Sequence, residues 1–240
     1  MRYAIIGDIH GNLEAFDAVL LSIDNEKVDH ILCVGDIIGY GANPVECIRL
    51  VQERCFKVVA GNHDYAAIGL TDIDYFNPFA KDAVLWTSER LGEKEINYIA
   101  SLKLVEREDS FTMVHATLDN PREWGYILNT FDAAAHFDLQ TDPICFVGHS
   151  HGAVVYVKKE NFISGHRFVN KVDSECKYII NIGSVGQSRD GDYRASYVIY
   201  DYDLQTLKLK RVEYDVRTAQ KKILEAGLPQ ILADRLSIGR

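Results

Sequence analysis

The alternation of apolar and polar positions predicts strands and helices in turn over the first 60 residues. Three short apolar runs are typical of buried strands, and the two segments between them place apolar side chains at helical spacing. The strands are predicted at residues 3–6, 30–34 and 56–60, and the helices after Asn12 and from Pro44 to about Arg54. This order predicts a parallel sheet joined by right-handed crossovers.

Residues 65 to about 104 interrupt this order. Asn77-Pro78 is typical of a helix start, the helical spacing continues to about Gly92, and a shorter helix follows. Because no strand separates these helices, we expect a helical insertion lying over one end of the sheet. Two interpretations stay open for it, a purely structural cover and a cap that shapes a substrate site.

From Ser110 onward the pattern changes mostly to strands. They are predicted at residues 111–114, 144–147, 154–158, 178–182, 196–202 and 207–214, with helices near 131–137 and 216–226. The second half of the chain therefore predicts another sheet, packed on the first with helices outside. Since no repeat, low-complexity run or linker divides the sequence, we expect one α/β domain over residues 1–240.

Composition narrows the setting of this domain. The chain has 240 residues, of which 47% are hydrophobic and 25% charged, as in an ordinary globular protein. No apolar run approaches the roughly 18 residues that span a bilayer. The first apolar run is too short for a signal peptide, so we expect a cytoplasmic protein. The net charge of −9 argues against broad nucleic-acid binding, yet allows a small phosphorylated substrate held by bound cations.

Histidine and acidic residues gather directly after the predicted strands. Five histidines occupy such positions, namely His10, His63, His115, His149 and His151. Four further oxygen-bearing residues share the same strand ends, namely Asp8, Asp36, Asn62 and Asp64. Ligands of open α/β sheets bind beyond the carboxyl ends of the strands, so these side chains are expected at one rim.

The spacing within these groups indicates metal binding. In an extended segment the side chains at i and i+2 point the same way, so Asp8 and His10 can share one cation, and so can His149 and His151. Carboxylate and imidazole ligands suit Mn²⁺, Fe, Co²⁺, Ni²⁺ or Zn²⁺. More ligands are present than one ion uses, which predicts two ions about 3.5–4 Å apart with a bridging carboxylate.

The segment CFVGHSHGA at residues 145–153 fits two chemistries. As G-x-S-x-G it would be a nucleophile elbow with Ser150 attacking, and as His-x-His it is a pair of metal ligands. An elbow requires a helix after the serine, whereas a strand is predicted here, and the remaining triad candidates Glu160 and His166 are poorly placed. A serine hydrolase is therefore disfavoured, as is an inactive binding scaffold, because no predicted ligand is missing.

Taken together, the motifs resemble those of the calcineurin-like metallophosphoesterases. The matching residues are Asp8-x-His10, Gly35-Asp36, Gly61-Asn62-His63-Asp64, His115 and Gly148-His149-x-His151, in the order of that family. The tail from Asn181 to Asp192 resembles a prokaryotic single-domain subgroup. Ala116 departs from the family, whose members usually carry glycine after this histidine. The resemblance implies a four-layer α/β/β/α fold and a phosphoesterase.

The resemblance also implies roles for individual residues. One metal would be held by Asp8, His10, Asp36 and His151, and the other by Asp36, Asn62, His115 and His149. Mn²⁺ is the first expectation for both ions, with Fe, Ni²⁺, Co²⁺ and Zn²⁺ as alternatives. A hydroxide bridging the ions would attack phosphorus in line, His63 would act as general acid, and Asp64 would orient His63.

The substrate is less defined by the sequence. Candidate phosphate contacts are Asn12, Asn43, Gln187 and Arg189. Aromatic residues would either stack on a nucleobase or fill the core of the short helices, namely Tyr65, Tyr75, Phe76, Phe79, Trp86, Trp124 and Tyr126. We expect a small phosphomonoester or a nucleotide, ahead of a phosphodiester such as a cyclic nucleotide, and ahead of a phosphoprotein.

Overall fold

The computed structural model describes residues 1–108 and 110–240. Its strands are β1 (Arg2–Ile6), β2 (His30–Cys33), β3 (Lys57–Val58), β4 (Val105–Arg107), β5 (Phe111–Val114), β6 (Ile144–Val147), β7 (Val154–Lys159), β8 (Phe162–His166), β9 (Cys176–Asn181), β10 (Ala195–Asp201) and β11 (Thr206–Val212). Its helices are α1 (Leu13–Asp24), α2 (Pro44–Arg54), α3 (Asn62–Ala67), α4 (Pro78–Ser88), α5 (Glu93–Ser101), α6 (Thr130–Leu139), α7 (Val216–Glu225) and α8 (Gln230–Asp234), with 3₁₀ turns at Pro121–Glu123 and Arg235–Ser237. Among these residues no helix combines the length and the apolar character needed to cross a bilayer.

The first sheet has the strand order β11-β10-β1-β2-β3. Strands β1, β2 and β3 run parallel, as predicted, and β10 lies antiparallel to β1 with Arg2 opposite Asp201. The expectation that the strands of the second half build a separate sheet is wrong for β10 and β11. The side chains of β10 are buried on both faces almost throughout, which makes it suitable for the interior of the first sheet.

The second sheet has the order β4-β5-β6-β9-β7-β8. Strands β5, β6 and β9 run parallel, whereas β4, β7 and β8 are antiparallel to their neighbours. Both sheets are therefore mixed. The short edge strand β4 was not predicted, because three half-exposed residues carry too little periodicity to be recognised.

The largest aromatic cluster lies between the two sheets. Phe111 of β5 and Phe146 of β6 pack edge to face with ring centroids 5.4 Å apart, and Tyr200 of β10 lies 6.0 Å from Phe111. Helices α1 and α2 pack on the outer face of the first sheet, and α6 packs on the outer face of the second. The predicted α/β fold with two packed sheets flanked by helices is confirmed.

The helical insertion packs against the C-terminal helices. Ala83 of α4 shares an apolar cluster with Ile223 of α7 and Leu232 of α8. The indole nitrogen of Trp86 donates a hydrogen bond to the carbonyl of Ala226 at 2.9 Å. The insertion is thereby anchored to the end of the chain. That residues 1–240 form one domain stays a prediction.

Candidate metal centre

The loops that carry the predicted ligands leave the strands in an unusual backbone conformation. Positive φ angles occur at five of the seven predicted ligands, namely Asp8 (49°), His10 (51°), Asp36 (52°), His149 (68°) and His151 (59°). A side chain with a Cβ adopts this region at a cost of about 1–3 kcal/mol, and such residues concentrate at functional sites. The loops are therefore held in place by the surrounding structure.

Hydrogen bonds between the loops supply that support. The backbone N–H groups of Asp8 and His10 donate to the carbonyls of Gly35 and Asp36 at 2.9 and 3.0 Å. The carbonyl of Asp8 also accepts from the hydroxyl of Ser184 at 2.9 Å. The tail motif, whose role the sequence did not reveal, thus fixes the first ligand loop.

The first group of side chains brings together Asp8, His10, Asp36 and His151. Their ligand atoms all lie within 4.8 Å of one another and are buried. The Nε2 atoms of His10 and His151 are 3.0 Å apart, and His151 Nε2 lies 3.3 Å from an Asp8 oxygen. This group has the composition that the family resemblance implies for one metal.

The second group contains Asp36, His115 and His149, again within 4.8 Å. His115 Nε2 lies 3.3 Å from an Asp36 oxygen and 3.2 Å from the side-chain oxygen of Asn62. Asp36 belongs to both groups and so occupies the position of a bridging ligand. His149 and His151 could share one cation only in an extended segment, whereas both adopt positive φ and their side chains enter different groups, as the family resemblance implies.

The hydrogen bonds of the imidazole rings fit a metal. Three rings direct Nδ1 to a backbone carbonyl, His10 to Ile38 at 3.2 Å, His115 to Val34 at 2.8 Å and His151 to Gln187 at 2.6 Å. These contacts place the proton on Nδ1 and leave the Nε2 lone pair free. The Nε2 of His149 is buried without a partner in the described structure. The two Nε2 lone pairs of His10 and His151, 3.0 Å apart, would both be satisfied by a metal cation.

The charges of the site lead to the same conclusion. Burial raises the pKa of Asp8 to about 7 and lowers the pKa of His149 to about 3. Burial also opposes a charge on His115, yet the Asp36 carboxylate outweighs it and raises the pKa of His115 to about 9. Two carboxylates buried together require compensating positive charge, which without a metal falls on the imidazole of His115. Divalent cations would satisfy both kinds of ligand.

Two glycines allow the carboxylates to approach the loops. A Cβ on Gly61 would lie 2.1 Å from an Asp36 oxygen, and a Cβ on Gly148 would lie 2.2 Å from an Asp8 oxygen. Gly152 lies in the same loop as Gly148. A Cβ added there would fit, because the nearest atom, the Cβ of Asp190, would be 3.9 Å away. The glycine at 148 is therefore required by the ligand geometry.

We expect Gly148→Ala to displace the Asp8 carboxylate and to lower the metal content of the purified protein to one ion per chain or less. Gly152→Ala is the matched control and should retain both ions. Metal analysis of the two variants after dialysis checks this, together with thermal unfolding to confirm folding. Equal metal content in both variants would contradict the assignment of Asp8 as a ligand.

His63 lies beside the two ligand groups. Its ring centroid is 4.9 Å from that of His10 and 4.5 Å from that of Tyr40, and its backbone N–H donates to Asp36 at 2.9 Å. The expectation that Asp64 orients this ring is not what the described contacts show. Asp64 instead accepts from the backbone N–H groups of Ile37 at 2.9 Å and Gly61 at 2.9 Å. It ties the loops together and acts on His63 through the backbone.

The four polar candidates for phosphate contacts differ in their surroundings. Asn12 caps α1 by accepting from Ala15 at 3.2 Å and donates to the Gly186 carbonyl at 2.8 Å. Asn43 stands before α2 and donates to Glu46 at 3.1 Å. Both side chains are thus engaged in holding helices and loops, and a contact of either with a phosphate stays a prediction.

Gln187 and Arg189 lie nearer to the ligands. The carbonyl of His151 accepts from the backbone N–H of Arg189 at 3.2 Å, and the Gln187 side-chain oxygen accepts from the Arg189 guanidinium at 2.9 Å. The same oxygen accepts from Arg235 at 3.3 Å. Arg235 was missed, because one arginine near the end of the chain carries no motif.

A cleft of about 660 Å³ opens beside the predicted ligands Asn62 and His149. Its walls include Asn62, His63 and His149, together with the aromatic side chains of Tyr40, Tyr75, Phe76, Trp124 and Tyr126. The ring of Tyr126 stacks on that of His149 with centroids 4.1 Å apart. The other aromatic candidates lie outside the lining, and Tyr65 is buried with its hydroxyl on the Leu102 carbonyl at 3.0 Å.

Ser150 is held by a hydrogen bond and does not stand in a nucleophile elbow. Its hydroxyl accepts from the side-chain amide of Asn181 at 2.9 Å. Strand β7 follows the loop, so the turn into a helix that a nucleophile elbow requires does not form. Ser150 separates two histidines whose rings enter the two ligand groups.

Comparison with known proteins agrees with this site. Residues 1–205 match the calcineurin-like phosphoesterase superfamily domain. The structure of a metallophosphoesterase from Sphaerobacter thermophilus is 41% identical, with a TM-score of 0.89 and coverage of 100% of this chain and 99% of that one. An uncharacterized protein of Methanocaldococcus jannaschii is 41% identical over 99% of this chain and 98% of its own length.

A shorter match involves a protein of named activity. The symmetrical bis(5'-nucleosyl)-tetraphosphatase of Actinobacillus pleuropneumoniae is 33% identical over 67 residues, which span 27% of this chain and 25% of that protein. The family match, by contrast, extends over most of the chain and carries the ligand loops with it. The chain belongs to the calcineurin-like phosphoesterase superfamily and is a metal-dependent phosphoester hydrolase.

Proposed function

We propose that the enzyme hydrolyses a phosphate ester of a nucleotide bound in the cleft that reaches the ligand groups at His149 and Asn62. The observation that carries this proposal is that His149, Asn62 and His63 line an aromatic-walled cleft of about 660 Å³, a volume suited to a small organic ligand. The aromatic walls offer faces on which a base can stack. The short match to a nucleoside tetraphosphatase supports the same substrate class.

The metal ligands are proposed as two overlapping sets. Asp8, His10, Asp36 and His151 would hold one divalent cation, and Asp36, Asn62, His115 and His149 the other. When bound, such ions neutralise phosphate charge and make water nucleophilic at neutral pH. Mn²⁺ is the first candidate and Fe, Ni²⁺, Co²⁺ and Zn²⁺ are alternatives, because carboxylates and imidazoles suit all of them.

The proposed reaction is hydrolysis, in which a side chain of the protein donates the proton that the leaving group needs. The oxygen of water forms a bond to phosphorus while the bond from phosphorus to the leaving oxygen breaks, giving an alcohol and inorganic phosphate. His63, on the wall of the cleft, is proposed to donate a proton to the leaving oxygen. Burial lowers the pKa of His63 to about 4 even though the Asp36 carboxylate acts to raise it, and the negative charge of a bound phosphate would raise it further.

The proposal that the substrate is a nucleotide can be tested by replacing an exposed aromatic side chain of the cleft that does not contribute to the core. Tyr75 lines the cleft and is 93% exposed, so Tyr75→Ala should fold normally. We expect it to raise KM for AMP about five- to tenfold, the loss of one base–aromatic stack. KM for ribose 5-phosphate, which has no base, should not change.

The matched control is Phe131→Ala, which removes a ring that is 85% exposed on α6 and outside the cleft lining. Both nucleotide and sugar phosphate should be hydrolysed as by the wild type. Steady-state kinetics with added Mn²⁺, and with EDTA as the blank, measure these values. Equal KM values for AMP and ribose 5-phosphate in the wild type would reject the nucleotide.

A further inference from the structure

Two arginines near the metal centre converge on a single amide oxygen. The side-chain oxygen of Gln187 accepts from Nη2 of Arg189 at 2.9 Å, from Nε of Arg189 at 3.3 Å and from Nη1 of Arg235 at 3.3 Å. Within residues 1–108 and 110–240 neither guanidinium has an ion pair with a carboxylate. The nearby Arg194 and Arg211, by contrast, each pair with an aspartate.

This arrangement leaves positive charge uncompensated in a partly buried place. Both arginine side chains are half-buried, and Nε of Arg235 is buried without a hydrogen-bond partner among the described residues. Burial, and then the charge of Arg189, lowers the pKa of Arg235. One amide dipole does not balance two guanidinium charges, and unpaired buried donors are costly. An anion in contact with both groups would remove the cost.

The pair is adjacent to the metal centre. Nη2 of Arg189 lies 3.3 Å from the hydroxyl of Tyr40, and its guanidinium lies 5.7 Å from the Tyr40 ring. The Tyr40 ring in turn packs on His10 at 4.6 Å and on His63 at 4.5 Å, and it lines the cleft. One aromatic ring therefore separates Arg189 from the predicted general acid and from a predicted metal ligand.

We propose that Arg189 and Arg235 bind a second phosphate group of the substrate, next to the phosphoryl group that is hydrolysed. Guanidinium groups form two parallel hydrogen bonds to phosphate oxygens, which makes arginine the suited residue for this contact. The preferred substrates then carry a diphosphate or a longer phosphate chain, an inference that rests on the proposed function. Arg235 lies beyond the residues 1–205 that match the family domain, so the contact is a property of this chain's C-terminal segment.

The kinetic test compares ADP with AMP. With ADP, water attacks the terminal phosphorus and the phosphoanhydride bond breaks, giving AMP and inorganic phosphate, whereas with AMP the ester bond breaks, giving adenosine and inorganic phosphate. The wild type should show a kcat/KM for ADP at least about tenfold above that for AMP, and Arg235→Met should reduce this ratio about tenfold or more. Arg235→Gln serves as a second variant if Arg235→Met fails to fold. Arg217→Met removes an equal charge from an exposed position on α7 and should leave the ratio unchanged.

A binding test does not depend on turnover. Calorimetry of the Mn²⁺-loaded protein compares methylenediphosphonate with methylphosphonate, neither of which is hydrolysed. The diphosphonate should bind the wild type more tightly, and Arg235→Met should weaken it about tenfold while Arg217→Met does not. The contrary result is that inorganic phosphate binds the wild type as tightly as the diphosphonate does and that Arg235→Met weakens the binding of both equally. Arg189 and Arg235 would then bind a free anion, and the proposal would be overturned.

The two proposals fail in different ways. A diphosphonate preference that depends on Arg235, in a protein that hydrolyses no nucleotide, supports the second phosphate site and rejects the nucleotide. Hydrolysis of AMP and ADP at equal rates, with no change in Arg235→Met or Arg235→Gln, leaves the proposed function in place and rejects the second phosphate site.

Discussion

Asp36→Asn is expected to cost the enzyme both metal ions and on the order of 10³-fold or more in kcat/KM. Asp36 is the one side chain that belongs to both groups of clustered ligands. An amide oxygen carries no negative charge and is a far weaker ligand than a carboxylate oxygen, so it is a poor bridge between two cations. The substitution would also replace the buried carboxylate whose oxygen lies 3.5 Å from His10 Nε2 and 3.3 Å from His115 Nε2 by an uncharged group.

Metal content per chain is the direct readout for this variant. The wild type should bind two equivalents of Mn²⁺, His151→Ala and His149→Ala about one each, and Asp36→Asn none at the same free metal concentration. Asp74→Asn, which alters an exposed carboxylate paired with Lys81, is the control and should bind two. An Asp36→Asn protein that is folded and holds two ions would show that Asp36 is not the bridge.

The gathering of the site could be predicted from the sequence because it depends on chain order. Parallel strands end at the same edge of a sheet, so polar residues placed after each strand must approach one another. Asp8 after β1 and Asp36 after β2 follow this rule within the first sheet. His149 follows β6 of the second sheet, so its approach to them also depends on how the two sheets pack.

The finer geometry was not predictable in the same way. The positive φ angles of Asp8, His10 and His149 are imposed by hydrogen bonds between loops, and no pattern of residue types reports them. Parity in an extended segment therefore allowed His149 and His151 to share one ion, and only the family resemblance separated them. The position of β10 in the first sheet was missed for a related reason, because strand order along the chain does not fix which sheet a strand joins.

The contact between Arg235 and Gln187 could not be predicted from the sequence either. Arg235 reaches Gln187 from a turn 48 positions further along the chain, and only the packing of the C-terminal helices brings the two together. Arg189 was predicted because it stands in a motif. Contacts of this kind, between a motif and a segment without one, appear only once the helices are placed.

His63→Asn is expected to leave both metals bound while slowing hydrolysis according to the leaving group. For phenyl phosphate, whose leaving oxygen needs a proton, kcat should fall about 10²–10³-fold, the usual contribution of a general acid. For p-nitrophenyl phosphate, whose leaving oxygen is stable as an anion, the loss should be about tenfold or less. His63 lies beside the ligand groups rather than in them, so the metal content should stay at two.

The difference between the two substrates is what distinguishes proton donation from the other roles open to His63. A ring that merely packed against His10 and Tyr40 would, when replaced, slow both substrates alike, because its effect would pass through the geometry of the site. If the His63 ring were a metal ligand, replacing it would remove a bound ion from the protein. Equal losses on both substrates, or a single bound ion, would therefore reject His63 as the acid, whereas a loss confined to the poor leaving group follows only from a proton delivered to the departing oxygen.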